Sequence, residues 1–183
     1  MKKNQIFILG IHDGHNCGAS ISYNGKIICS ILEERLTRRK NEVGYPGKAI
    51  EECLKIAKLD VVDLYKVVLA TNFMHHPSYL ENISPWYLVG ARDQERDNKV
   101  SKRYQKDVFV KRKMERISNI VKHLKIKEDK ICFIEHHLAH LAAAYYTAPN
   151  VAIDRPILGL TCDGAGDGIS ATVSICKNNT ISR

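Results

Sequence analysis

The sequence predicts an α/β protein whose last residues open a second copy of its first strands. Three apolar runs (6–11, 17–23 and 26–32) come first, and Asn24-Gly25 between the last two is a strong signal for a two-residue hairpin. Helical spacings and short β-rich runs then alternate up to Pro149. Beyond Pro149, the runs 156–162 and 169–176 again flank a turn rich in Gly and Asp, as the first two strands do. We therefore expect a mixed sheet with the order βββαβαβα, followed by the start of a repeat.

The helices and strands between these two ends follow from periodicity. A helix is expected after Pro46, then a strand at 65–71, a basic helix from about Val108 to Leu124, a strand at 130–135 and a helix from 136 to before Pro149. Residues 72–104 are polar and aromatic and are predicted to form a long excursion. We assign 1–150 to a first lobe and 151–183 to the truncated opening hairpin of a second, and expect the chain to be part of a longer protein.

Composition limits the class of protein. The 183 residues are 44% hydrophobic and 26% charged, which is ordinary for a globular chain, and no run reaches membrane-spanning length. The six cysteines form no CxxC pair and lie mostly within apolar runs, so buried free thiols in a reducing cytoplasm are expected. No membrane partner is expected.

The net charge of +8 is concentrated between Arg92 and Lys127. A basic face of this kind can bind nucleic acid or an anionic substrate. The residues Val110, Met114, Ile117, Val121 and Leu124 recur at helical spacing with the basic residues between them, which favours a solvated helix face instead. Nucleic acid is therefore not the expected partner.

Two glycine-rich turns are candidates for binding phosphate or nucleotide. Gly14 lies in the first, and Gly164, Gly166 and Asp167 lie in the second. Glycines allow backbone N–H groups to approach an anion closely. Neither turn matches a dinucleotide or P-loop pattern, so ordinary hairpins are the alternative.

The stretch "EHHLAHLAAAYY" (135–146) holds three histidines. His136 and His140 are four residues apart and share one face of a helix, whereas His137 points elsewhere. With Asp163 at the end of the next strand, they could bind a divalent metal that keeps open positions for substrate. Histidines that merely cap or solvate a helix end are the alternative. His15, in the first turn, is a candidate acid or base, and Arg35 and Arg38 are candidate anion-binding residues.

Four motifs in order, "ILGIHDGHNCGASI", "ILEERLTRRKNEVGYPGKAIEECL", "EHHLAHLAAAYY" and "TCDGAGDGISATV", resemble the carbamoyltransferase family of nodulation and antibiotic biosynthesis (NodU/CmcH type). The resemblance implies the duplicated actin/sugar-kinase-like (ribonuclease H-like) fold, related to the tRNA threonylcarbamoyl-transfer protein. It implies a metal on His136, His140 and Asp163, iron first with zinc or manganese as alternatives. It also implies that His15 lies near the transferred carbamoyl group and that Gly164, Gly166 and Asp167 face nucleotide.

In such a family, carbamoyl phosphate and ATP yield carbamoyl adenylate in a separate C-terminal domain. The carbamoyl group then passes to a hydroxyl of a small-molecule acceptor. The second lobe and the adenylating domain are expected in the intact protein. Asn16, directly after His15, stands where the family often has aspartate, so the sequence lacks that charge beside His15. A tRNA threonylcarbamoyl-transfer homologue and a non-catalytic nucleotide-binding or interaction module remain alternatives.

Overall fold

The computed structural model describes residues 5–72, 106–149 and 154–183. These fall into two compact units, which are residues 5–69 with 106–132, and residues 70–72 with 133–183. The helix after residue 135 thus groups with the second hairpin, although we placed a domain boundary at 150. The assignment of domains remains a prediction. The predicted excursion at 72–104 lies, apart from Asn72, outside the described residues.

The first unit is built on a mixed five-stranded sheet with the order β3-β2-β1-β4-β5. Its strands are β1 (Phe7–His12), β2 (Gly18–Tyr23), β3 (Lys26–Leu32), β4 (Leu64–Leu69) and β5 (Ile131–Phe133). β1 and β2 pair antiparallel, as do β2 and β3, while β4 lies parallel to β1. This sheet and its helices confirm the predicted α/β class.

The predicted turn at Asn24-Gly25 joins β2 to β3. Both residues have positive φ, 46° and 83°, as a type I′ turn requires. The strands alternate in burial, and one face of β1 and β2 carries the fully covered side chains Leu9, Ile11, Ala19 and Ile21. Helix α2 (Gly47–Ala57) packs on β2 and β3 and buries Ala49, Ile50 and Cys53.

The first residues of the motif "EERLTRRK" form a short helix, α1 (Glu33–Thr37), whose Glu33 contacts the start of helix α2. Glu33 is buried and accepts hydrogen bonds from the backbone N–H groups of Lys48 and Ala49, at 3.2 and 2.7 Å. These N–H groups lie in the first turn of α2, where no partner exists within the helix. Glu33 therefore has a structural role as the acceptor at the start of α2.

Helix α3 (Lys106–Leu124) buries a different face from the one its sequence predicts. Val110 and Met114, expected in the core, are 54% and 55% exposed. Arg112 and Arg116 are buried instead, on the same side as Ile120 and Leu124. The reason for burying Arg116 is Asp13 in the β1–β2 turn, whose carboxylate takes two hydrogen bonds from the guanidinium at 2.7 and 2.9 Å. Part of the basic charge is thus internal.

The second unit contains helix α4 (His136–Thr147) and the antiparallel sheet β6-β7-β8. Its strands are β6 (Ile157–Gly166), β7 (Ile169–Lys177) and β8 (Thr180–Ser182). Leu141 and Tyr145 of α4 pack with Cys176 of β7 in the core of this unit. Ala143 and Ala144 of α4 are exposed.

All six cysteines are free thiols, but the predicted burial holds only in part. Cys17, Cys53 and Cys176 are buried, Cys29 and Cys132 are partly buried, and Cys162 is exposed. Burial raises the pKa of both Cys17 and Cys53 to about 12. Among the described helices, none is long and apolar enough to cross a membrane. A cytoplasmic location remains a prediction.

Breaking the Asp13–Arg116 pair should destabilise the protein strongly. Arg116→Met leaves the Asp13 carboxylate buried without its guanidinium, and such a change costs about 3–5 kcal/mol of unfolding free energy. Urea unfolding followed by circular dichroism measures this. The control is Arg116→Met combined with Asp13→Asn, which leaves no uncompensated charge and should recover at least half of the loss. A single variant as stable as the wild type would contradict the argument.

The thiols should differ in reactivity. At pH 8 a thiol with a pKa of about 12 is ionised to only about one part in ten thousand, and burial also blocks the reagent. Iodoacetamide applied to the folded protein should therefore modify Cys162 and spare Cys17 and Cys53, as peptide mass spectrometry would reveal. Unfolding in urea is the control and should make all three react alike.

Candidate metal centre

Helix α4 begins at a defined acceptor. The side chain of Glu135, its N-cap residue, accepts hydrogen bonds from the backbone N–H groups of His137 and Leu138 at 2.7 and 3.0 Å. Arg183 pairs with the same carboxylate. Burial alone would raise the pKa of Glu135, but these hydrogen bonds outweigh it and hold the pKa below its usual value. The cap fixes the first turn, which carries the histidines.

His137 anchors the helix to the sheet beneath it. Its ring is fully buried, with Nδ1 2.8 Å from Thr161 Oγ1 and Nε2 2.8 Å from the carbonyl oxygen of Ile169. A carbonyl only accepts, so Nε2 must carry the proton, and a neutral ring then accepts from Thr161 at Nδ1. His137 is therefore a core histidine with both nitrogens satisfied, consistent with its exclusion from the predicted metal set.

His136 and His140 lie on the other side of the helix and meet Asp163. The distance from His136 Nε2 to Asp163 Oδ2 is 2.7 Å, and that from His136 Nε2 to His140 Nε2 is 3.0 Å. His140 Nε2 lies 3.6 Å from the same carboxylate oxygen. His136 is mostly covered, whereas His140 and Asp163 are more exposed, so the group opens to solvent.

The carboxylate is held ready in its charged form. The hydrogen bond from His136 lowers the pKa of Asp163, outweighing partial burial, and the backbone N–H of Gly164 contributes by donating to Oδ1 at 2.6 Å. Asp163 thus presents Oδ2 to the histidines, while its Oδ1 accepts the hydrogen bond from the backbone N–H of Gly164.

The donor set fits a metal ion. Bonds of about 2.1 Å at angles of 90–110° separate neighbouring ligand atoms by about 3.0–3.4 Å, close to the distances within this group. The 3.0 Å approach of the two Nε2 atoms is also the separation expected of two ligands of one ion. In the part of the chain that the structure describes, this is the one cluster of three or more such groups.

Gly166, the last residue of β6, and Asp167 in the β6–β7 turn hold His136 in place. A Cβ atom added to Gly166 would lie 2.0 Å from His136 Cδ2, so only glycine allows the ring to pack there. The carboxylate of Asp167 accepts hydrogen bonds from the backbone N–H of His136 at 2.8 Å and from Thr71 and Asn72. These contacts give both residues structural roles, and their predicted nucleotide contact remains untested.

The other predicted site residues lie in the first unit. His15 is exposed, forms an isolated β-bridge with Val43, and accepts at its carbonyl from His12 Nε2 at 3.0 Å. Gly14 is buried, and its carbonyl accepts from Gly44 N–H. Arg35 is 72% exposed beside Glu34, and Arg38 ends helix α1 with a φ of 63°. Their roles stay predictions.

Sequence reasoning missed the supporting residues around the site. Glu135 carried a weak signal, because acidic residues are enriched near helix starts, although the usual N-cap residues are Ser, Thr, Asp and Asn. The roles of Thr71, Asn72 and Asp167 had no such signal, since their hydrogen bonds join residues 95 and 96 positions apart.

This chain belongs to the carbamoyltransferase N-terminus family, whose family model matches residues 7–182. The match extends through both units and includes all three candidate metal ligands.

Two curated relatives are similar along most of the chain. An uncharacterized protein from Methanocaldococcus jannaschii is 26% identical over 174 residues, covering 95% of this chain and 25% of the relative. An uncharacterized protein from Synechocystis sp. is 24% identical over 175 residues, covering 91% and 26%. The chain thus spans about a quarter of the length of these relatives.

Replacing Gly166 tests the packing beneath His136. Gly166→Ala should weaken metal binding at least tenfold, because the new methyl group displaces the His136 ring. Titration calorimetry with Zn²⁺ or Mn²⁺ measures this. The matched control is Gly164→Ala, because a Cβ there meets nothing within 4 Å and the N–H to Asp163 is kept. Equal affinities for both variants would argue against the assigned packing.

Removing a ligand should remove the metal. We expect His136→Ala and His140→Ala each to lower the bound metal, measured by elemental analysis after purification, to a small fraction of the wild-type content. His15→Ala is the histidine control and should keep its metal. Unchanged content in both ligand variants would refute the assignment.

Proposed function

We propose that this chain is part of an ATP-dependent carbamoyltransferase that moves a carbamoyl group from carbamoyl adenylate to a hydroxyl of a small-molecule acceptor. The observation that carries this proposal is the match to the carbamoyltransferase N-terminus family over residues 7–182. The cluster of His136, His140 and Asp163 supports it independently, because it offers polar ligands open to solvent.

The transfer requires a modest set of protein groups. The acceptor oxygen forms a bond to the carbamoyl carbon, the bond from that carbon to the phosphate oxygen breaks, and AMP leaves with the electron pair. AMP is a good leaving group, so the site must orient the two reactants, stabilise charge on the carbonyl oxygen and accept the proton of the hydroxyl.

His136, His140 and Asp163 would hold the metal, with iron as the first expectation and zinc or manganese as alternatives. When bound, such an ion supplies a Lewis acid that can polarise an oxygen of the substrate. Within this chain, His136 and His140 would supply imidazole nitrogens, and Asp163 would supply negative charge, which its lowered pKa favours.

His15 is proposed to take the acceptor proton, since an exposed imidazole can exchange protons near neutral pH. Gly14, Gly164, Gly166 and Asp167 are proposed to lie near phosphate groups. For Gly164 the turn is open, with room beside its Cα. For Asp167 the backbone is the candidate, because its carboxylate already accepts several hydrogen bonds.

We further propose that the fold is the duplicated actin/sugar-kinase-like one, with a second lobe and an adenylating domain in the intact protein. The two units support a duplication because each sheet starts with three consecutive antiparallel strands, β1-β2-β3 and β6-β7-β8.

The decisive assay follows AMP release and carbamoyl transfer from carbamoyl phosphate and ATP to a panel of hydroxyl compounds. Because the relatives are about four times as long, we expect no turnover from the 183-residue chain alone and turnover from a protein of the relatives' length. If AMP is released but none of the tested hydroxyl compounds is carbamoylated, the result would count against the transfer step.

In the active protein, His15→Ala should lower the rate of transfer about 10²–10⁴-fold, the usual contribution of a general base. Metal content and circular dichroism serve as controls and should not change. A variant with the wild-type rate would remove His15 from the mechanism while leaving the proposed reaction intact.

A further inference from the structure

Helix α3 buries two arginines that differ in how their charge is compensated. Arg112 and Arg116 are four residues apart, so both lie on one face of the helix, separated by about 6 Å along its axis. Their exposures are 9% and 1%. A guanidinium keeps its positive charge at physiological pH, so each of these buried side chains requires an acceptor of opposite charge.

Arg116 shows how this face binds a carboxylate. Its Nε donates to Asp13 Oδ2 at 2.7 Å, and its Nη2 donates to Asp13 Oδ1 at 2.9 Å. These two N–H groups lie along one edge of the guanidinium, and their spacing matches that of the two oxygens of a carboxylate. The pair is therefore an example of bidentate oxyanion binding on this helix.

Arg112 differs from Arg116 at its Nε atom. Within the described residues, this buried nitrogen has no hydrogen-bond acceptor. The contact printed by the geometry of Arg112 is a single one, from its Nη1 to Oε2 of Glu115 at 3.4 Å. That distance is longer than the roughly 2.7–2.9 Å of a charge-assisted hydrogen bond, and Glu115 is 40% exposed to solvent. Glu115 thus compensates the charge of Arg112 weakly and leaves Nε unpaired.

An unpaired Nε is unfavourable for the chain by itself. A buried donor that meets no acceptor loses its hydration without replacement, and the loss is larger for a charged group. In native proteins such a group commonly marks a functional site or the place of a bound ion. Arginine is also the side chain that is over-represented where carboxylate or phosphate is bound bidentately. The burial of Arg112 therefore indicates a ligand.

We propose that Arg112 anchors an oxyanion-binding site, in which its Nε and Nη2 donate to two oxygens of a small-molecule ligand that carries a phosphate or a carboxylate group. The anion lies about one helical turn from the pair that Arg116 forms with Asp13. Because Arg116 compensates the charge of Asp13, that carboxylate does not strongly oppose the anion. The inference goes beyond the proposed carbamoyl transfer, which gives Arg112 no role, and it holds with or without a metal.

The test measures how anions stabilise the protein. Urea unfolding is followed by circular dichroism in chloride, acetate or inorganic phosphate at equal ionic strength, over a range of anion concentrations. A ligand that binds only the folded state raises the unfolding free energy, and hence the urea midpoint, as its concentration exceeds its Kd. Arg112→Met removes the guanidinium, and Arg112→Lys keeps the charge without the Nε and Nη2 edge. The matched control is Lys111→Met, which removes an exposed positive charge from the same helix.

We expect phosphate or acetate to raise the midpoint of the wild type above its value in chloride. The anion with the larger effect identifies the ligand group as phosphate or carboxylate. The apparent anion affinity should fall at least tenfold in Arg112→Met and in Arg112→Lys, and should change less than twofold in Lys111→Met. Equal anion effects in the wild type and Arg112→Met, or equal wild-type midpoints in the three salts, would overturn the proposal.

A second measurement separates a ligand site from a structural role. In chloride alone, Arg112→Met should be at least as stable as the wild type, because methionine fills similar space and leaves no buried charge unpaired. The partner Glu115 stays hydrated, since it is partly exposed. A clearly lower midpoint for Arg112→Met in chloride would show that Arg112 is paired within the protein, and this result would also overturn the proposal.

Discussion

The candidate metal centre depends on the carboxylate of Asp167. This residue sits in the β6–β7 turn with a left-handed φ of 54°, and its two oxygens accept hydrogen bonds from Thr71, Asn72 and the first backbone N–H of helix α4. A negative charge at a helix N-terminus is stabilising, because the N–H groups there have no partner in the helix. The β6–β7 turn and helix α4 are therefore joined at His136, so this contact helps to set the position of the His136 ring.

With the helix start fixed in this way, the remaining contacts of the second unit place three polar atoms together at little further entropic cost. Gly166 provides the space for the His136 ring, and His137 anchors the opposite side of the helix. The cluster consequently combines a rigid member, His136, with the more exposed His140 and Asp163. A site built in this manner would hold the ligands of an ion in place before the ion binds, and its exposed side is open to solvent.

Much of this architecture could be predicted from local sequence signals. Period-two strands, the Asn-Gly turn and the i, i+4 spacing of His136 and His140 all act over a few residues, and the structure contains each of them. The buried face of α3 could not be predicted in this way. Periodicity predicts that Arg112 and Arg116 face solvent, yet both are buried. Arg116 is buried because it pairs with the buried Asp13, which lies 103 positions away in the sequence.

The same limit applies to the site. Two imidazoles and a carboxylate at suitable spacing indicate a metal, whereas the residues that orient them act through contacts distant in sequence. The two turns, which are both rich in glycine and aspartate, suggest equivalent anion-binding loops. In the structure Asp13 is paired with a guanidinium and Asp167 with backbone and side-chain donors, so the carboxylates serve the fold in both turns.

The bonding of His137 has a spectroscopic consequence. Its Nε2 proton points at the Ile169 carbonyl inside the unit, where bulk water cannot reach it, and its Nδ1 continues through Thr161 to Thr172 at 2.6 Å. A ring proton of this kind exchanges slowly with solvent and resonates well downfield of ordinary amides. We therefore expect a resolved ring N–H signal at the base of helix α4, and that signal would report on the helix without any label.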